Sequence, residues 1–168
     1  MSKFKAYNLM LASLPAGVSE HEYLLDTDFF HNMENSDVLE ADVRAHVRVD
    51  HKNDTYYLHC HLEGMLQIAC DRCLDPMDHP VDADYDLAVK YGPDYDDSAD
   101  GLLVIPETDA SLNLAYMLYD TAILTIPMRH VHPQGACNKA MAGLLRTHHA
   151  QQAWAEAAPR EIPPTEMA

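Results

Sequence analysis

The chain has 168 residues, 48% apolar and 23% charged, with 11 Lys and Arg against 27 Asp and Glu, a formal net charge of -16 at pH 7. This composition is globular and the length suits one domain with a continuous core, which excludes collagen-like and disordered classes. The acid excess excludes a protein that coats nucleic acid by bulk charge, because such binding neutralises phosphates with Lys and Arg; it favours a basic partner, or a few bases concentrated in one place.

The chain opens on Met1-Ser-Lys-Phe-Lys-Ala-Tyr7, with no apolar core of a signal peptide, and no run approaches the roughly 20 apolar residues of a membrane span. A cytoplasmic setting without a membrane is expected. Short strands are predicted near Phe4 to Leu11 and Tyr23 to Leu25. Between Tyr23–Leu25 and the next strand, Asp26-Thr-Asp28 followed by Phe29-Phe30 reads as the start of a short helix that docks two rings on a sheet.

From Leu39 to Val49 the pattern alternates, with Leu39, Ala41, Val43, Ala45, Val47 and Val49 facing inward, a half-buried strand. Lys52-Asn53-Asp54 is a turn, and Tyr56, Leu58, Cys60 and Leu62 continue as the second arm of a hairpin, with His59 and His61 outward. Gly64 is expected to mark a bulge before Leu66, Ile68 and Cys70. Val81 to Val89 forms another strand, with carboxylates at 82, 84 and 86 outward, and Leu102 to Ile105 a shorter one. Residues 91–100 read as a solvated acidic loop.

Ser111 is expected to cap a helix carrying Leu112, Ala115, Tyr116, Tyr119, Ala122 and Ile123, stopped by Pro127, with Asp109 near its positive end. A second helix is predicted from about Asn138, with Met141, Leu144, Leu145 and His148 as its stripe. The expected organisation is one domain over residues 1–155 and a disordered Pro-bearing tail over 156–168. The expected fold class is α+β: a bent antiparallel sheet of six or seven strands with two C-terminal helices.

Charge is placed unevenly. Residues 71–120 carry 13 acids against Arg72 and Lys90, a net of -11, whereas residues 121–155 hold no acid but contain Arg129, Lys139 and Arg146. These three, with Arg72, are the candidates for contact with phosphate or an acidic surface; helix ends also collect bases for dipole reasons.

Four Cys, two of them in Cys70-Asp-Arg-Cys73, suggest a cytosolic thiol or metal arrangement rather than a disulfide framework. Two thiolates three positions apart can reach one metal from a tight turn. His132 and Cys137 would complete a Cys3His set for a structural zinc, with His130 as substitute. Two other readings stand beside it: a pair of reduced thiols packed in the fold, and a redox pair. The motif follows a strand in an antiparallel run, which disfavours the redox reading. Cys60 reads as a core residue and His59/His61 as polar residues on a wet face, with no suitably spaced carboxylate in their hairpin to complete a ligand set. Phosphate-cradling loops and a hydrolase elbow are absent.

The run Gly64-Met-Leu-Gln-Ile-Ala-Cys70-Asp-Arg-Cys73-Leu74-Asp-Pro-Met, the following strand and acidic loop, Ser111-Leu-Asn-Leu-Ala-Tyr-Met-Leu-Tyr-Asp120, Leu124-Thr-Ile-Pro127 and His130-Val-His132-Pro133 up to Cys137 together resemble the YceD family (domain of unknown function 177). The resemblance covers about Phe4 to Leu145 and places Cys70, Arg72, Cys73, Pro127, His132 and Cys137 at family motif positions. Many members carry further Cys near the C-terminus, whereas Cys137 is the last here, which makes His132 the needed fourth ligand. The resemblance implies ribosome biogenesis, supporting accumulation of large-subunit (23S) ribosomal RNA, and no known reaction. The expected partners are a ribosomal protein or pre-ribosomal particle, with rRNA contact through Arg72, Arg129, Lys139 and Arg146. A small thiol enzyme using Cys70 and Cys73, and a general protein-interaction module, remain as alternatives.

Overall fold

A computed structural model describes residues 3–147. The elements in chain order are β1 (Asn8–Leu9), β2 (Gly17–Asp26), α1 (Thr27–Asn32), β3 (Val38–Lys52), β4 (Thr55–Ala69), β5 (Pro76–Gly92), β6 (Asp96–Ala99), β7 (Leu102–Pro106), β8 (Leu112–Asn113) and α2 (Ala115–Ile123). A further helix, α3, covers residues 139–147. The fold is α+β: a six-stranded sheet in the order β2-β3-β4-β5-β7-β6, and a small β1-β8 sheet beside it. The expected disordered tail and His148 lie outside the described residues.

Three long strands dominate because their sequences alternate. Val43, Ala45, Val47 and Val49 of β3, Leu58, Cys60 and Leu62 of β4, and Val81, Leu87 and Val89 of β5 are buried on one face. Asn53 and Asp54, at φ 49° and 57°, close the β3–β4 hairpin between the paired Lys52 and Thr55. Positive φ at both central residues is the turn whose twist matches that of the strands.

The expected bulge at Gly64 is corrected. Gly64 pairs in unbroken register with Val43 on one side and Val81 on the other. The irregularity lies in β3, where Val38 pairs Ile68 and Glu40 pairs Gln67, so Leu39 is the extra residue. One extra residue reverses the alternation. Val38 therefore turns inward at 1% exposure while Leu39, expected inside, is 38% exposed. Gly64 is needed for close approach instead: at φ 151°, a Cβ there would sit 2.2 Å from the Asp42 carbonyl oxygen and 2.7 Å from Val43 Cα.

Two further expectations change. The acidic loop contains β6, which pairs antiparallel with β7, and β7 lies between β6 and β5. This makes β7 parallel to β5, so the sheet is mixed rather than wholly antiparallel. Ser111 does not cap α2. Leu112 and Asn113 pair with Leu9 and Asn8 instead, and the Asn113 Oδ1 accepts the Ala115 amide at 3.0 Å. The strand pairing withholds Ser111 and Leu112 from the helix, and Asn113 takes over the role of first-turn acceptor.

The layer covering the sheet comprises the N-terminal segment, α1 and α2. Asp26 caps α1 by accepting the Phe29 amide at 2.8 Å, and Phe29 and Phe30 are buried as expected. Phe30 meets Phe29 edge-on at 5.3 Å and Tyr119 of α2 at 5.8 Å. Asn35 donates to the Tyr119 hydroxyl at 2.7 Å. Fully burying one such ring contributes about 1.5–3 kcal/mol, so α1 and α2 are locked together over the sheet chiefly by aromatic packing. Leu118 and Ala122 complete the contact from α2.

Gly64→Ala is expected to lower the free energy of unfolding by at least about 2 kcal/mol, from backbone strain and overpacking together. Gly143→Ala in α3, where a Cβ meets nothing within 4 Å, should be neutral or stabilise by up to about 1 kcal/mol. Urea unfolding of the two variants beside the parent measures both.

Candidate metal centre

The end of β4 and the start of β5 are joined by a turn built around one sulfur. The Cys70 amide donates to the Asp75 carbonyl at 2.9 Å, and the Leu74 amide donates to the Cys70 carbonyl at 2.9 Å. Leu74 adopts φ 62°, a left-handed conformation uncommon for a branched residue, which turns the chain back. The Arg72 amide then points at the Cys70 Sγ, 3.4 Å away. Cys70 and Cys73 are both buried.

The second half comes from the segment after Pro127. The Asp71 amide donates to the His130 carbonyl at 2.9 Å, and the His130 amide donates to the Asp71 carboxylate at 2.8 Å. The His130 Nε2 also lies 3.3 Å from that carboxylate. This reciprocal pair docks the segment so that His132 falls against the turn. Its amide donates to Cys70 Sγ at 3.5 Å, and its Nδ1 lies 3.4 Å from Cys73 Sγ.

The ring's other nitrogen, Nε2, is 3.2 Å from the Pro76 carbonyl. A carbonyl only accepts, so Nε2 carries the proton and Nδ1 presents its lone pair to the thiols. An imidazole oriented by a backbone carbonyl through its far nitrogen is the usual support for a metal-ligating histidine. One donor atom each from Cys70, Cys73, His132 and Cys137 lie within 4.8 Å of one another. A tetrahedron with zinc–sulfur bonds of about 2.3 Å has sulfur–sulfur edges of roughly 3.8 Å, so the donors are near the required spacing. His130, the expected substitute, is engaged elsewhere: its Nδ1 lies 3.2 Å from the Pro127 carbonyl and its Nε2 is on Asp71.

The electrostatics favour a cation. Burial pushes the Cys70 thiol up, but the amides of His132, Arg72 and Cys73 outweigh it and bring it down to about 6. Cys137 is raised by burial and by the thiols of Cys73 and Cys70. His132 is raised by its contacts with the Cys70 and Cys73 thiols. The lowered Cys70 thus offers a thiolate that a divalent cation can take up. Four protein ligands would close a tetrahedral site, the arrangement of structural rather than catalytic zinc, which keeps an open position.

Other sequence candidates fall elsewhere. Arg72 and Arg129 flank the Asp71–His130 pair, one on each side of the junction, and both are exposed. Lys139 and Arg146 are exposed on α3, seven residues apart and hence on one face. None of the four forms a salt bridge among the described residues. Cys60 is fully buried in the core. His59 and His61 lie on the solvent face and are held by carboxylates of β5, His59 by Asp86 at 2.7 Å and His61 by Asp84 at 2.8 Å. The carboxylates missing from their hairpin come from the adjacent strand, where alternation puts 84 and 86 on the same face. The Asp71 clamp and the Pro76 carbonyl had no sequence signal, because a backbone acceptor has none.

Asp71→Ala is expected to accelerate hydrogen exchange at the His130 and His132 amides at least about tenfold, since a hydrogen bond to a charged group contributes roughly 1.5–3 kcal/mol. Exchange of the Val47 and Cys60 amides in the β3–β4 core should be unchanged.

The family model described as large ribosomal RNA subunit accumulation protein YceD matches residues 58–157. No curated protein and no solved structure matches the chain. The match covers more than half of the 168 residues and takes in both the Cys70–Cys73 turn and the segment from His130 to Cys137 that meets it. The chain belongs to the family of large ribosomal RNA subunit accumulation protein YceD.

Proposed function

We propose that the protein is a non-enzymatic ribosome-biogenesis factor that supports accumulation of large-subunit (23S) ribosomal RNA, with a structural zinc at Cys70, Cys73, His132 and Cys137. The observation that carries the reading is the family match over β4, β5, α2 and the metal-binding segment. The closed donor set supports a structural role for the metal. Its place, between the end of the sheet and the segment leading to α3, supports a single domain over residues 1–155 whose acidic sheet and basic helical end are held in fixed relation.

The two ends suit different partners. The stretch 71–120, at net -11, favours a basic ribosomal protein, and long-range attraction raises the rate of such an encounter. Arg72, Arg129, Lys139 and Arg146 are exposed and bear no carboxylate partner among the described residues, so they are available to rRNA phosphates. The partner is then a ribosomal protein or a pre-ribosomal particle, and the setting cytoplasmic. The closed ligand set counts against the thiol-enzyme alternative, because a metal held by His132 and Cys137 as well leaves Cys70 and Cys73 no free exchange partner.

Elemental analysis of freshly purified protein should find a single zinc per chain, and Cys70→Ser or Cys137→Ser should reduce it to near zero. Protons compete with the metal for the thiolates, so zinc is held at neutral pH and released on acidification below about 6, where Cys70 loses its free thiolate as well. A Cys70–Cys73 disulfide in place of bound metal would instead favour the thiol enzyme.

Depletion of the protein in cells should lower large-subunit RNA relative to small-subunit RNA, with restoration by the parent and not by Cys70→Ser. Unchanged RNA on depletion would refute the ribosomal role.

A further inference from the structure

The sheet is wider than the layer that covers it. α2 packs over β4 and β5, and beyond it the inner face of β5 and the β6–β7 hairpin opens into a groove of about 850 Å³. That is the size of a pocket that takes a large ligand. Leu87, Ile105 and Met117 give it apolar walls, and Tyr116 in the first turn of α2 and Leu124 just past its end stand on its rim at 66% and 82% exposure.

Its charge is of one sign. Asp97, Asp100, Asp109 and Asp120 line the groove, and no Lys, Arg or His among the described residues does. None of the four carboxylates has a salt bridge among the described residues; Asp97 accepts a hydrogen bond from Tyr95, another lining residue, at 3.3 Å. Their field reaches the wall: the Tyr85 phenol is raised first by burial, then by Asp100, with Asp120 adding to it. This differs from the outer face of the same sheet, where Asp84 and Asp86 are hydrogen-bonded to His61 and His59.

We propose that this groove between α2 and the β5–β7–β6 end of the sheet docks a cationic segment of another protein, one that carries large apolar side chains among its Lys and Arg. The apolar walls take the side chains, and the carboxylates pair the flanking cations. RNA is disfavoured, because four carboxylates would face its phosphates with no base between them. The proposal deepens the reading of a basic ribosomal protein as partner, and rests on that reading only for where the segment comes from.

The test uses a fluorescein-labelled peptide of repeated Lys-Leu-Arg-Phe, read by anisotropy at about 0.1 M salt, where charges beyond roughly 10 Å are screened. The full chain should bind it at least about tenfold more tightly than a peptide of the same charge with Ser for Leu and Phe. Tyr116→Ser with Leu124→Ser should weaken binding at least about tenfold, because a docked segment would bury both of these exposed apolar side chains. Both positions are exposed, so melting curves of the variant should match the parent. Asp100→Asn with Asp120→Asn should weaken it similarly, while Glu63→Gln with Asp82→Asn, a cross-strand pair on the outer face, should change it less than about twofold. Equal loss in the outer-face variant, equal binding of the serine peptide, or displacement by spermidine as effective as by the unlabelled peptide would each overturn the proposal. So would a dimer of this chain that the Tyr116/Leu124 variant abolishes, since a second copy would then own the groove.

Large-subunit RNA in depleted cells separates the two levels. Peptide binding lost from the parent chain, with RNA still falling on depletion, removes the groove and keeps the ribosomal reading. Specific peptide binding with RNA unchanged on depletion keeps the groove and removes the ribosomal reading.

Discussion

The C-terminal segment is joined to the end of the sheet by two hydrogen bonds between Asp71 and His130, one from each amide. Residues so far apart in sequence cost loop-closure entropy to bring together, and the clamp contributes against that cost with one charge-assisted bond. Everything that makes the metal centre follows from it. With residue 130 fixed, His132 lies two residues on, its amide on Cys70 and its ring between Cys73 and the Pro76 carbonyl. The ring is thereby oriented before any cation arrives. A bound metal would add a third attachment at Cys137, the one donor outside the clamp's immediate reach.

The same turn explains why the Cys70 thiol is lowered. Its sulfur sits where the Arg72 and His132 amides converge, so dipoles from two separate segments favour the thiolate against the effect of burial. Asp71, which by its charge would disfavour a thiolate, is turned away onto His130. The sequence proximity of an acid to the Cys pair is thus misleading: the carboxylate works on the backbone of the partner segment rather than on the sulfurs.

Much of the sheet was legible because burial on one face imposes a period of two, and β3, β4 and β5 obey it over most of their length. The errors arise where that period is interrupted by something with no composition of its own. Leu39 and Val38 are equally apolar, and only the bulge opposite Ile68 and Gln67 decides which turns inward. Glycine in a strand often marks the irregular residue, but Gly64 serves the close passage of the β3 backbone. Ser111 has the chemistry of a cap, yet β1 claims its neighbours for a strand pair, a contact between segments over a hundred residues apart. β6 carries too many acids to read as a strand, and its four residues are all exposed. The metal set was legible for the opposite reason. Cys is scarce, and one Cys-x-x-Cys with a single later Cys just after His132 leaves few combinations; only their convergence needed coordinates.

The groove had no signature in the sequence because its carboxylates come from β6, the turn after it, the loop after β7, and α2. In the sequence they belong to one acidic stretch with Asp82, Asp84 and Asp86, and nothing distinguishes the two groups. The fold does. The outer-face acids of β5 lie beside the histidines of β4, with Arg44 and Arg48 of β3 on the same face. Those at 97, 100, 109 and 120 surround apolar side chains, with no base lining the groove among the described residues. An acid flanked by bases presents little net field, whereas four around a low-dielectric groove reinforce one another. The charge of -16 therefore acts mainly where it is uncompensated, and a basic partner is drawn to the concave inner end of the sheet rather than to its broad outer face.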